Sequence, residues 1–182
     1  MTPKSAVPPP RPQPAAVISA DEPDWKREQK GFWQWAPERS LLASIRDHQR
    51  WSASKVPGVR CLRGLALLRH RFWSVVTGAD IPVNSRLAGG LRIPHPQGIV
   101  VHPRAVVGPN CLLMQQVTLG SGPRPGLPVL VGHVDVGPGA RVLGGVRIGA
   151  HARIGANAVV LDDVPEGATA VGVPARIVKR AP

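Results

Sequence analysis

The chain is poor in aromatic residues. It has no tyrosine, and its five tryptophans and two phenylalanines all precede residue 78. Nothing aromatic comes after Trp73, so two differently built regions meet near Gly78, and no aromatic RNA-binding signature is present. Cysteine is equally scarce. Cys61 and Cys111 are no disulfide framework, and each reads most simply as a small buried hydrophobe. No charged n-region followed by an apolar h-region opens the chain, and no apolar run is long enough for a bilayer. A reducing cytoplasm is the expected location. Acidic residues are few: 11 Asp+Glu against 23 Lys+Arg, a net charge of +12. The excess is spread along the chain, 13 against 6 in residues 1–77 and 10 against 5 afterwards. Such a chain can meet nucleic acid, an anionic surface or a phosphate-bearing small molecule. No helix-turn-helix or zinc finger supports nucleic acid.

What is abundant is punctuation, with Gly 20 and Pro 21. Residues 1–20, MTPKSAVPPPRPQPAAVISA, hold six prolines and little apolar mass. They read as a disordered, polyproline-like arm. Residues 21–78 have a helical texture. APERSLLASIRDHQRW spaces Leu41, Leu42, Ile45 and His48 helically, and VRCLRGLALLRHRFWSVV does the same for Leu62, Leu65, Leu68 and Phe72. This region is too short for a large core of its own, so it should pack on the C-terminal part of the chain or on a neighbouring chain. A basic amphipathic helix could instead touch a membrane surface; an ordinary protein face is the preferred reading.

From Ile81 an aliphatic residue returns every sixth position. The register runs Ile81, Leu87, Ile93, slips by two residues, and resumes at Val101, Val107, Leu113 and Leu119. A loop, GSGPRPGLPV, interrupts it. It returns at Leu130, Val136, Val142, Ile148, Ile154 and Val160. Four residues after most of these stands a small or β-branched side chain, as at Ala105, Cys111, Ala140 and Ala158. An α-helix cannot use this period, because six residues rotate about 600°. A three-sided solenoid with about 18 residues per coil can. Each side turns one aliphatic inward to stack on the next coil, and the narrow core needs no aromatic.

This register resembles the left-handed parallel β-helix acyltransferases built from hexapeptide repeats. ADIPVNSRLAGGLRIPHPQGIVVHPRAVVGPNCLLMQQVTLG, followed by VGVPARIVKR, resembles their serine O-acetyltransferase branch, over roughly residues 78–180. The resemblance implies a β-helix domain at 79–182 with a loop at 120–129 and a C-terminal tail. It implies acetyl-CoA as co-substrate, no metal, and a homotrimer with the donor between neighbouring subunits. It implies His95 as general base and Asp80 as its orienter, fifteen residues apart. Read alone, His95 between two prolines is a surface histidine, and Asp80 a turn residue. The chemistry suits the pair: neutral imidazole near pH 7 can take a hydroxyl proton, and a carboxylate on its other nitrogen fixes the tautomer.

By the same resemblance CoA should run near Gly120, Ser121, Pro138 and Ala156, with Arg153, Lys179 and Arg180 facing its phosphates. Each of those cations also fits a solvated surface. His133 and Asp135 come after the loop and are read as groups on the acceptor side. His102, His133 and His151 raise a metal question, because γ-carbonic anhydrases use three histidines on this fold. The spacing differs, and they are read as surface histidines.

The family pattern also breaks. Pro94 stands where an Asp usually precedes the catalytic His. The loop GPRPGLPVL has Leu127 before Pro128 in place of an Arg-His pair, with Arg124 as the one candidate substitute. The helical region is short beside the family's long N-terminal domain. The groups that grip serine's ammonium and carboxylate therefore read as lost, and a sugar or polysaccharide-precursor hydroxyl is the expected acceptor. A genuine serine O-acetyltransferase is the alternative, and a non-catalytic β-helix scaffold the second.

Overall fold

A computed structural model describes residues 18–31, 33–52 and 59–178. Helix α1 (Pro37–Ser52) and helix α2 (Val59–Thr77) form a hairpin that leads into a parallel solenoid. The solenoid is a left-handed β-helix with three faces. Face A stacks β2 (Val100–Val101), β5 (Thr118–Gly120), β8 (Arg141–Leu143) and β11 (Val159–Val160). Face B stacks β1 (Arg86–Leu87), β3 (Val106–Val107), β6 (Val129–Leu130) and β9 (Arg147–Ile148). Face C stacks β4 (Leu112–Leu113), β7 (Asp135–Val136), β10 (Arg153–Ile154) and β12 (Thr169–Gly172). It ends with an antiparallel return strand, β13 (Ala175–Val178).

All thirteen aliphatics of the six-residue register are buried, none more than 5% exposed. The smaller residues at the second position are buried too, including Cys111. Each coil buries three aliphatics, roughly 1.5–3 kcal/mol per side chain. Positive-φ residues turn the edges, with Gly98, Gln116, Gly139 and Asn157 between faces C and A, and Gly90, Asn110, His133 and His151 between B and C. Short polar residues tolerate this region better than branched ones.

A solenoid leaves an open edge at its first coil, where unpaired backbone groups need partners. Here the helices and the segment before α1 supply them. His70 Nε2 lies 2.8 Å from the Ile81 carbonyl, and Gln49 donates to the Ser85 carbonyl. Arg46 donates to the carbonyls of Leu87 and Ala88, and Leu91 N–H donates to Glu28. Arg46 and Glu28 complete a two-pronged ion pair at 2.8 and 3.0 Å. Leu41, Leu42 and Ile45 of α1 join the same apolar core as Ile81 and Leu91. The helices therefore cap the solenoid.

Two sequence expectations, the disordered arm as far as Ala20 and the buried Cys61, need correction here. Ser19 and Ala20, read as part of a disordered arm, are docked on the solenoid: the Ser19 carbonyl accepts from buried Asn110, and Ala20 is buried. Residues 1–17 of that arm lie outside the described residues. Leu65, Leu68, Phe72 and Val75 of α2 are 54–83% exposed; the face that packs inward carries Ala66, His70 and Thr77. A small side chain lets the helix approach closely, so the bulky stripe faces out. Cys61, read as a buried hydrophobe, is exposed on that same helix.

Candidate active site

A regular coil takes 18 residues, as in the pairs Val100 with Thr118 and Val129 with Arg147. The first takes 20: Asp80 bridges Val100, Arg86 pairs with Val106, and Arg92 bridges Leu112. The spacing is still 20 at Arg92 and back to 18 at Val100. The two extra residues therefore lie between them, in the stretch IPHPQGI. They swell the edge between faces C and A, and His95 stands on this swelling, exposed.

Asp80 opens face A in the same coil. Its N–H donates to the Ile99 carbonyl at 2.8 Å, and its carbonyl accepts from Val101 N–H at 2.9 Å. Gly98 N–H donates to the Gly78 carbonyl at 2.9 Å. Main-chain bonds thus stitch the segment that carries His95 to the one that carries Asp80. Both side chains face solvent, and neither makes a hydrogen bond or ion pair with another described residue.

Of the residues expected to line a donor groove, Pro138 and Ala156 fall on the His95 edge in higher coils. There Asn157 N–H donates to the Pro138 carbonyl at 2.8 Å. The coils approach closely there, since a Cβ on Gly137 would lie 2.8 Å from the Ala156 nitrogen. Gly120 and Ser121 stand at the opposite end of face A, where Gly144 N–H donates to the Gly120 carbonyl. Arg153 projects from face C, its Nε 3.9 Å from the Asp135 carboxylate. Lys179 and Arg180 lie outside the described residues.

Arg124 and His133 are not brought to His95 within one chain. Arg124 folds back along the loop and donates to Asp163 at 2.9 Å, on the edge between faces A and B. Its carbonyl accepts from Gly145 N–H. His133 sits on the third edge, with Nδ1 2.8 Å from Nδ1 of His151 and the two rings edge to face. Burial first, and then His151, Arg27 and Arg153, hold the His133 imidazole below its ordinary value against the pull of Asp135. His102 Nδ1 accepts from Arg104 N–H in a local turn. Among the described residues no group of three or more His, Cys, Asp or Glu could hold a metal ion. A concavity of about 340 Å³, lined by Val131, Arg147, Gly149, Asp163 and Glu166 among others, contains none of the candidate site residues. The sequence pattern gave no sign of a charged cleft beside Pro94, because its members come from three distant segments.

No protein-family model matches the chain. Among curated proteins it is 46% identical over 110 residues to a serine acetyltransferase of Synechococcus elongatus, covering 59% of this chain and 45% of that protein. It is 35% identical over 161 residues to a serine acetyltransferase of Helicobacter pylori, covering 79% of this chain and 94% of that one. The chain thus spans less than half the length of the first relative and nearly all of the second. A solved serine acetyltransferase in complex with CoA aligns with a TM-score of 0.65 at 36% identity, over 79% of this chain and 58% of that one. The Neisseria gonorrhoeae serine acetyltransferase in complex with serine aligns with a TM-score of 0.65 at 33% identity, over 80% and 58%.

Proposed function

The chain belongs to the serine acetyltransferase family, and on that premise we propose that it transfers an acetyl group from acetyl-CoA to the hydroxyl of L-serine. The observation that carries the reading is the two-residue excess in the first coil, which puts an exposed imidazole on an edge whose main chain is hydrogen-bonded to the segment of Asp80. The relatives bear on the acceptor. They are named serine acetyltransferases, and two solved relatives hold CoA and serine. The expectation of a saccharide acceptor rested on the altered loop and finds no support among them.

Neutral His95 takes the proton of the acceptor hydroxyl as its oxygen attacks the thioester carbonyl. Asp80 orients the imidazole and stabilises the imidazolium that forms. Backbone N–H groups at the glycine-rich edge hold the oxyanion. Collapse breaks the carbon–sulfur bond, and the imidazolium returns its proton to the departing CoA thiolate. The donor groove lies between chains of a homotrimer. Two features support this: the candidate lining residues divide between the two edges of face A, and α2 turns an apolar stripe outward that another copy can cover. Two free thiols suit a reducing cytoplasm.

Thiol release from acetyl-CoA, followed with L-serine and with a panel of sugars and nucleotide sugars, tests the reading. Serine should give the highest kcat/KM. A sugar turned over faster than serine would overturn it.

A further inference from the structure

The cleft beside Pro94 is an unusual assembly of charge. Arg27 enters from the N-terminal segment, Glu38 and Arg39 from the first turn of α1, and Arg92 from face C of the first coil. Leu42 and Leu91 are apolar parts of its lining, and Pro94, immediately before His95, forms one side. Three guanidiniums thus share one small space with one carboxylate.

The cations are incompletely matched. Arg27 donates to the Asn110 carbonyl and Arg39 to the Gln29 carbonyl, both neutral groups. Arg92 makes no ion pair with another described residue. Burial first, and then Arg92, hold the Arg27 guanidinium below its ordinary value against the pull of Asp24 and Asp135, so the two cations feel each other. Like charges brought together in a partly desolvated cleft favour an anion between them. Glu38 approaches Arg39 Nε only to 3.9 Å, too long for a hydrogen bond. Its oxygens therefore remain able to accept from a cationic ligand.

We propose that this cleft, one residue from His95, binds the α-carboxylate and α-ammonium of the amino-acid acceptor, Arg92 with Arg27 taking the carboxylate and Glu38 the ammonium. The inference rests on the reading of the chain as an amino-acid O-acetyltransferase and names how that acceptor is held. It replaces the grip that the loop lacks, where Leu127 stands before Pro128 and Arg124 is turned to Asp163. A zwitterion matches both signs of charge in the cleft, whereas a neutral sugar would leave them unpaired. Guanidinium also has the planar fork that a carboxylate accepts in two-pronged fashion.

The test compares L-serine with serinol, which keeps the hydroxyl and amine but lacks the carboxylate. The wild-type full-length chain should prefer serine by at least tenfold in kcat/KM. Arg92→Gln should collapse that preference by at least tenfold, Arg92→Lys should restore part of it, and Glu38→Gln should raise the KM for both. An Arg92→Gln enzyme with the wild-type preference overturns the proposal. A second measurement is independent of turnover: L-serine at millimolar concentration should raise the melting temperature of wild type and fail to raise that of Arg92→Gln. If wild type acetylates a sugar rather than serine, the proposed acceptor fails. The cleft then stands or falls on the melting shift alone, and no shift in wild type, or equal shifts in both, sinks it.

Discussion

Asn110→Ala should release the N-terminal segment from the solenoid. Asn110 is fully buried on the edge between faces B and C, at φ +59°. Its Nδ2 donates to the carbonyls of Ser19 and Glu22 at 2.8 and 2.7 Å, and its Oδ1 accepts from Asp24 N–H at 2.8 Å. Three hydrogen bonds at about 1 kcal/mol each are lost with the amide. Alanine also tolerates left-handed backbone less well than asparagine, by about 1 kcal/mol. The sum is about 4 kcal/mol, and Asn110→Gly, which relieves only the backbone, should cost about 1 kcal/mol less. Most of the loss should appear locally, because all three bonds hold only residues 19–24. Hydrogen exchange at the Asp24 amide should accelerate by at least a hundredfold, and trypsin should cleave at Lys26 and Arg27. Gly132→Ala reaches the same segment sterically, since its Cβ would stand 1.9 Å from the Ala20 carbonyl oxygen. An Asp24 amide as slow in Asn110→Ala as in wild type, within threefold, would refute this account of the segment.

The two thiols should behave oppositely. In the native protein a thiol reagent should modify exposed Cys61 within minutes, and Cys111 only after denaturation, because burial pushes the Cys111 thiol up to about 11. Two fast-reacting thiols per chain would contradict the buried position. Acidification should weaken the fold through His133. Its folded pKa lies below the unfolded value, so its contribution is present above about pH 6.5 and is lost as pH falls toward the folded value. The urea midpoint of wild type should therefore drop more between pH 7.5 and 5.5 than that of His133→Asn, a residue that suits the φ of +46°. Equal drops would show that His133 does not contribute. In the core, Leu119→Ala should cost about 2–5 kcal/mol in urea unfolding, since the side chain is fully buried between coils. A loss under 1 kcal/mol would mean the coils collapse around the cavity.

How much the sequence disclosed depends on the range of the interactions involved. The solenoid is a local object: each six-residue step places its own aliphatic inward, so Val101, Leu113 and Val142 could be assigned without knowing what they touch. The two-residue slip was visible as well, and it marks the coil where His95 stands. Contacts between distant segments left no such trace. Nothing in the spacing of Ser19 and Asn110, or of Arg27, Glu38 and Arg92, says that they meet. Helical period found the bulky stripe of α2 but not its direction. That choice was made by Ala66, whose small side chain permits close packing, and by His70, whose imidazole meets the Ile81 carbonyl. The altered loop was legible in the sequence, whereas the cleft proposed to hold the acceptor is assembled outside the loop, from segments whose meeting no spacing announces.

The imidazole on the swollen edge is the centre of the account, and single-turnover release of CoA with L-serine measures it most directly. His95→Ala should slow the step by about 10²–10⁴-fold with acetyl-CoA affinity retained, and Asp80→Asn should slow it to a lesser degree. His95→Ala turning over within threefold of wild type would place the chemistry elsewhere.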